Sequence, residues 1–111
     1  YIFRYVIKPM DATTFAANTY STLMEAERKV NITSAEVMIS PNGYYVYASN
    51  RDVSGNPNPS RSSISVFAVT EDPPNSFSLT LVQKVSSLGN YPRYFQLLNG
   101  GSDLVLVNQL D

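Results

Sequence analysis

The chain has 111 residues, 43% of them apolar and 15% charged, with a formal net charge of −1. This balance suits one small folded domain and excludes a disordered segment, and so weak a charge leaves no electrostatic footprint for nucleic acid or an anionic membrane. Cysteine and histidine are both absent, which removes disulfides, thiolate metal sites and the commonest general base, so any chemistry falls to Glu, Asp, Arg, Lys or Tyr.

Taken in order, the predicted elements are strands and turns. Residues 2–7 (IFRYVI) form the first, and a second lies near Phe15 to Tyr20. Residues 21–30 (STLMEAERKV) follow as an irregular or short helical piece, with Glu25 and Lys29 at helical spacing. Then come strands over 35–39, 44–49, 63–69, 77–85, 93–98 and 104–108, rich in Val, Ile, Tyr and Phe and bounded by Gly, Pro, Asn and Asp. Pro41-Asn42-Gly43 and Asn99-Gly100-Gly101 read as hairpin turns, because Asn and Gly tolerate positive φ. Residues 52–62 (DVSGNPNPSRS) read as a polar loop.

The chain repeats itself. SAEVMISPNGYYVYASNR lies over PRYFQLLNGGSDLVLVNQ at an offset of 58, with Val37 on Phe95, Ile39 on Leu97, Gly43 on Gly101, Val46 on Leu104 and Asn50 on Asn108. IFRYVIK from Ile2 lies over ISVFAVT from Ile64, with Tyr5 on Phe67, Ile7 on Val69 and, without a gap, Phe15 on Phe77. Naming the strands of one unit A to D, the order is C-D, A-B-C-D, A-B. Units of four strands recurring at such a period signal an all-β propeller built from four-stranded antiparallel blades. A β-sandwich would share the strand statistics but gives no reason for the repeat. The segments are then 1–34, the outer strands of one blade with a connection; 35–85, a complete blade; and 86–111, the inner strands of the next.

Blades lie between neighbours, so their strands need not alternate apolar with polar. This explains YYVYA running straight into Ser49-Asn50-Arg51-Asp52: the strand is apolar between blades and turns polar where it emerges. With strand A starting at Ala35-Glu36 and strand B ending at Asn50-Arg51, Glu36 and Arg51 are expected on one rim. Tyr91 to Tyr94 should reach that rim from the neighbouring blade.

Ala35-Glu36-Val37, Ser40-Pro41-Asn42-Gly43, Tyr47-Ala48-Ser49-Asn50-Arg51, Ile64 to Phe67, and Gly89 with Pro92-Arg93-Tyr94-Phe95 resemble the repeats of the seven-bladed propeller lactonase family, which includes 6-phosphogluconolactonase-like proteins and the fungal carboxy-cis,cis-muconate cyclases. The match is good over about 35–109 and weak over 1–34, and the long 52–62 insertion and tyrosine-rich strand are similar to the cyclase branch. The resemblance implies a metal-free, cofactor-free enzyme acting on a small carboxylated lactone or its open form at the channel mouth. Arg51 matches the arginine of the S-N-R motif and would grip a substrate carboxylate, a task that suits its bidentate, always charged fork. Glu36 matches the A-E position and would orient Arg51 or exchange a proton with the reacting carbon or water. Arg93 and Tyr94 match P-R-x-F and would assist binding, although the family carries His or Asp where this chain has Tyr94. Gln109 stands where the upper repeat has Arg51, so the second copy is expected to lack a matching cation.

Structural roles stand beside these. Arg51 could close the blade by pairing with Asp52 or Glu36, Arg93 could tie one blade to the next, and the tyrosines other than Tyr91 and Tyr94 are expected to pack between blades. A non-catalytic propeller module for protein interaction is the alternative function. About two blades' worth of strands cannot close a ring, so the partners expected are further blades of the same protein or other copies of the chain. No nucleic acid or membrane partner is expected: no apolar run approaches a membrane span, and the opening YIFRYVI has no leader-like features. The compartment stays open, with the sequon Asn31-Ile32-Thr33 the one pointer to secretion.

Overall fold

The computed structural model describes residues 2–7, 14–24, 31–72 and 77–110; for 2–7 and 14–19 the description is of the backbone and its pairing. Among the described residues eight strands follow in chain order: β1 (Ile2–Ile7), β2 (Thr14–Tyr20), β3 (Ile32–Ile39), β4 (Tyr45–Asp52), β5 (Ser63–Glu71), β6 (Phe77–Ser86), β7 (Asn90–Leu98) and β8 (Asp103–Leu110). They pair antiparallel into a β1-β2 hairpin, a four-stranded β3-β4-β5-β6 sheet and a β7-β8 hairpin. That is the C-D, A-B-C-D, A-B order of a propeller fragment. The helical alternative over 21–30 lies largely outside the described residues, which stop at Met24 and resume at Asn31. The central sheet begins at Ile32, three residues before the expected Ala35, so a boundary at 34 cuts its first strand.

The turns close as their sequences demand. Gly43 sits at φ 77, its N–H donates to the Ser40 carbonyl at 2.8 Å, and the Asn42 carboxamide oxygen accepts from the Tyr44 N–H and the Ser40 hydroxyl. At the other turn, Asn99, Gly100 and Gly101 are left-handed at φ 50, 69 and 96, where an L side chain other than Asn is strained.

The 58-residue repeat holds in the ladder itself. Ser34 pairs with Asn50 and Val37 with Ala48; Pro92 pairs with Asn108 and Phe95 with Leu106. Each pair carries its irregularity at the same place, after Ser34 and after Pro92. The second repeat needs one correction. The irregularity after Arg4 recurs after Val66, as the alignment of Ile2 on Ile64 requires, but Tyr5 pairs with Ala16 whereas Phe67 pairs with Leu81. The β5-β6 hairpin is therefore longer than the β1-β2 hairpin, and Phe15 is not the counterpart of Phe77. A turn changes length without disturbing the strand pairs beyond it, so aligning aromatic residues alone hid the insertion.

The core lies between wedges. Ile64 and Val66, with Met38 and Tyr47, form one face of the central sheet, and Phe95, Leu104 and Leu106 of the β7-β8 hairpin pack onto it. The Tyr47 and Phe95 rings meet at 6.4 Å with planes tilted by 58°. The radius of gyration is 15.0 Å, against about 13 Å for a globule of this length; the wedges stand in a row.

Equivalent positions show what the row does. Phe95 has 0% exposure because the central sheet precedes it, whereas its counterpart Val37 is 53% exposed. Ser49 has 0% exposure beneath the next hairpin, whereas its counterpart Val107 is 54% exposed. The same strand position is buried where a neighbouring wedge lies against it and bare where, among the described residues, none does. In the isolated 111-residue chain, Phe95→Ala is therefore expected to cost about 3–5 kcal/mol in chemical denaturation, while Val37→Ala stays within about 0.5 kcal/mol. Equal losses would show that the two sites are not distinguished by a neighbouring wedge.

Candidate functional site

One end of the molecule gathers the polar side chains. The start of β3, the end of β4, the 53–62 loop, the start of β5, the end of β6 and the start of β7 all meet there. Backbone bonds tie the connections together: the Val53 N–H donates to the Asn31 carbonyl at 2.8 Å and the Ser87 N–H to the Ser62 carbonyl at 3.0 Å. The polar ending of β4 supplies four consecutive residues to this rim, and each has a different task.

Ser49 holds a bulge. Between the Ser34–Asn50 and Val37–Ala48 pairs, Ala35 and Glu36 face Ser49 alone, and the Glu36 N–H donates to the Ser49 hydroxyl at 3.0 Å. A bulged strand leaves a residue without its ladder partner and re-aims a side chain. Here the serine hydroxyl satisfies the amide and fixes Glu36. One carboxylate oxygen of Glu36 accepts from the Val37 N–H at 3.1 Å.

Asn50 is a fully buried cross-link. Its Nδ2 donates to Ser65 Oγ at 2.9 Å, to Ser63 Oγ at 3.3 Å and to the Thr22 carbonyl at 3.3 Å, while Ser34 Oγ donates to its Oδ1 at 3.4 Å. Ser65 Oγ also donates to the Thr22 carbonyl at 2.7 Å, and Thr22 Oγ1 lies 3.0 Å from Ser34 Oγ. The connection entering the central blade is thus clamped to its second strand. The counterpart Asn108 repeats the device, donating through Nδ2 to the Ser87 carbonyl in the connection that enters β7. Gly89 lets this happen: a Cβ there would stand 2.7 Å from Asn108 Cγ.

Asp52, fully buried, organises the 53–62 loop. Its oxygens accept from the Ser54 and Asn58 N–H groups, each at 3.0 Å, and face Arg61 Nη1 at 3.5 Å. Asn58 in turn caps the 3-10 turn Pro59–Arg61 through Ser60. Burial pushes the Asp52 pKa up, but the Ser54 and Asn58 hydrogen bonds and the Arg61 charge outweigh it and hold the pKa below its ordinary value.

Arg51 is left over. It lies opposite Thr33 and is half-buried, and its Nε is buried with no hydrogen-bond partner. Neither structural pairing open to it is made: Asp52 takes Arg61, and no ion pair joins Arg51 to Glu36 among the described residues. Strand alternation directs Asp52 to the opposite face from Arg51, so neighbours in sequence are not neighbours in space. Glu36 and Arg51 do share a face, since Met38 pairs with Tyr47 and each lies on the same side as its residue. They are not level. β3 begins at Ile32, so Glu36 stands opposite Ser49, two residues down β4 from Arg51, or about 7 Å in from the rim.

Arg93 and Tyr94 belong to the neighbouring hairpin. Arg93 is the extra residue between the Pro92–Asn108 and Tyr94–Val107 pairs, and its Nη1 donates to Gln109 Oε1 at 3.1 Å. Tyr94 is exposed beside Val107. Both are on the hairpin face away from the central sheet, so they start at the rim of Arg51 but not on its face. The second copy has Gln109, not a cation, at the strand B position of Arg51, and the guanidinium that touches it comes from strand A. No group of three or more His, Cys, Asp or Glu side chains able to hold a metal occurs among the described residues.

Residues 3–111 match the family model described as lactonase, 7-bladed β-propeller. The chain belongs to the seven-bladed propeller lactonase family. It is 32% identical over 92 residues to a 6-phosphogluconolactonase of Formosa agariphila, a match that covers 83% of this chain and 22% of that one. It also superposes on the crystal structure of a candidate 6-phosphogluconolactonase from Bacteroides fragilis with a TM-score of 0.67 at 25% identity, covering 96% of this chain and 25% of that one. The chain therefore spans about a quarter of the length of the relatives it matches. Its bare faces at Val37 and Val107 are those that flanking blades of such a ring cover.

Sequence reasoning missed the scaffolding roles of Ser49, Asn50 and Asp52. Only Asn50 left a signal, through its recurrence as Asn108. Asn50→Ala is expected to cost about 1–3 kcal/mol, since it takes the carboxamide from Ser34, Ser63 and Ser65 in a buried network and leaves the Thr22 carbonyl only its bond from the Ser65 hydroxyl. Asp52 adds a pH dependence. Its folded pKa lies below the unfolded one, so its stabilisation is complete above about pH 4 and disappears as pH falls through the lowered value. The stability gap between the native protein and Asp52→Asn, measured by urea denaturation, should be widest at neutral pH and close in acid. A gap independent of pH would contradict the assignment.

Proposed function

We propose that the protein is a propeller enzyme that opens or closes a small carboxylated lactone, with its site at the rim of Arg51. The observation that carries this is the half-buried guanidinium whose Nε has no partner and whose neighbouring carboxylate, Asp52, is engaged by Arg61. A cation partly removed from water without a counter-charge favours an anionic ligand strongly, because the ligand supplies both the missing charge and the missing acceptor. A substrate carboxylate bound there would set the lactone ring over the face that holds Glu36.

Glu36 is the acid–base group of this reading. Ser49 fixes its backbone, and one of its carboxylate oxygens is engaged by the Val37 N–H, which orients the other for proton exchange with the reacting carbon or with water. Membership of the lactonase family and likeness to 6-phosphogluconolactonases support the reaction class. Within that class we favour a carboxymuconate-type lactone or its open form, which presents the carboxylates that an unpaired arginine selects.

The test uses the full-length protein, assayed with a carboxylated muconolactone and with 6-phosphogluconolactone. Arg51→Ala is expected to lower kcat/KM by about 100-fold or more. Arg51→Lys should recover only part of the loss, since an ammonium keeps the charge but not the fork. Glu36→Gln should lower kcat with little change in KM. Full turnover by Arg51→Ala would remove Arg51 from the site and favour a rim whose charges serve protein interaction.

A further inference from the structure

Leu88 is the most exposed large apolar side chain among the described residues, at 90%. It is also left-handed, with φ 57. A bulky residue at positive φ is an outlier, because its Cβ crowds the following carbonyl. The position is therefore unfavourable twice over, in its backbone and in its exposed surface. Glycine or asparagine would close such a turn without either cost.

The surroundings hold this conformation firmly. The Leu88 N–H donates to Ser86 Oγ at 3.1 Å, and the Ser86 hydroxyl donates to the Pro59 carbonyl at 3.4 Å. Ser87 Oγ donates to the Gly89 carbonyl at 2.8 Å, while the Ser87 N–H donates to the Ser62 carbonyl and the Ser87 carbonyl accepts from Asn108. The connection entering the central blade is built alike: the Leu23 N–H donates to Ser21 Oγ at 3.2 Å, and the Thr22 carbonyl accepts from Asn50. Yet Leu23 is half-buried and is not left-handed. The bonded turn thus requires neither a positive φ nor an exposed leucine. Nor does the exposure arise as at Val37 and Val107, where no described wedge lies against the strand: β6 and β7, which this connection joins, are both described. Strain kept in place by over-determined surroundings gathers at binding sites.

The connection also passes over the candidate site. It crosses the rim from β6 to β7 beside the start of β5, where Ser62 holds it. Arg51 lies on the same face of the central sheet as Tyr47, and Tyr47 packs against Phe95 of β7. Arg51 therefore faces the cleft between the central sheet and β7, and Leu88 stands on the connection that bridges the two at the rim.

We propose that Leu88 is a specificity-determining residue of the Arg51 site: its side chain forms an apolar lip at the mouth of the cleft and selects a carboxylate carried on hydrocarbon over one carried on a hydroxylated chain. This rests on the reading of Arg51 as an anion-gripping group and adds what the ligand presents beyond its charge. A ring or alkyl carbon against Leu88 takes apolar surface of both out of water. A hydroxylated carbon there gives up hydrogen bonds to water and receives none in exchange.

Titration calorimetry of the full-length protein with adipate and with galactarate tests this. Both are dicarboxylates of equal carbon number, and galactarate bears a hydroxyl on every inner carbon. Leu88→Asn keeps a residue that tolerates the left-handed backbone and removes the apolar surface. It should weaken adipate by about tenfold, leave galactarate within about twofold, and raise the thermal midpoint. Leu88→Met, which keeps an apolar side chain, should hold adipate within about threefold of the native protein. Arg51→Ala should weaken both ligands alike. Adipate binding unchanged in Leu88→Asn, or both ligands weakened equally by it, overturns the lip and leaves Arg51 in place. Binding indifferent to Arg51→Ala, or absent from the native protein, overturns the reading of Arg51 and the lip with it.

Discussion

The buried Asn50 carboxamide holds this rim in place. It joins β4 to β5 through Ser63 and Ser65, to β3 through Ser34, and to the incoming connection through the Thr22 carbonyl. A propeller blade is held laterally by apolar packing, which is non-directional and leaves the angle of each entering connection undetermined. Directional bonds to a buried amide settle that angle. Asn108 performs the same service for the next connection, at the same place in the repeat. This rim is thus fixed by a polar device within an apolar architecture, and the device occurs at both described connections because the same geometric problem arises at each.

That device gives the Ser-Asn-Arg-Asp sequence its physical logic. Ser49 satisfies a bulged amide, Asn50 clamps a connection, and Asp52 gathers two loop amides and Arg61. Three of the four side chains are consumed by the scaffold. The fourth, Arg51, alternates onto the opposite face from Asn50 and Asp52 and finds no carboxylate there among the described residues. A motif that looks like a set of reactive groups is mostly framework, and only one of its four side chains is left unengaged by that framework among the described residues.

Much of this was legible in the sequence. The repeat of Val37 on Phe95 and Asn50 on Asn108 pointed to the strand order, and the two hairpins share their ladder register because a register is a relation between positions and survives when side chains change. The turns were legible in Asn42-Gly43 and Asn99-Gly100-Gly101 because positive φ restricts the residues allowed. The bulge was not legible, since it depends on a serine hydroxyl from a different strand; nor was the start of β3 at Ile32, which puts Glu36 one pleat inside instead of at the strand start. The Asp52–Arg61 pair was equally hidden: only the folded 53–62 loop brings Arg61 back to the end of β4. The insertion in the β5-β6 hairpin escaped because Phe15 and Phe77 are both aromatic, and a shared residue type is weaker evidence than a shared register.

The exchange of Arg51 for Gln109 and of Ala35 for Arg93 follows from the same distinction between framework and chemistry. Framework positions cannot move. Asn50 and Asn108 must meet a carbonyl at a fixed place, and Gly89 must admit the Asn108 side chain. A cation has more freedom, because its field acts over several ångströms and its long stem can start from either strand. Two adjoining strands of a hairpin therefore offer alternative anchors for one charge at the rim, whereas the clamp has a single anchor. Comparing aligned columns one at a time records only Gln109 in place of Arg51; the folded hairpin adds that a guanidinium from the adjoining strand, that of Arg93, lies 3.1 Å from that glutamine.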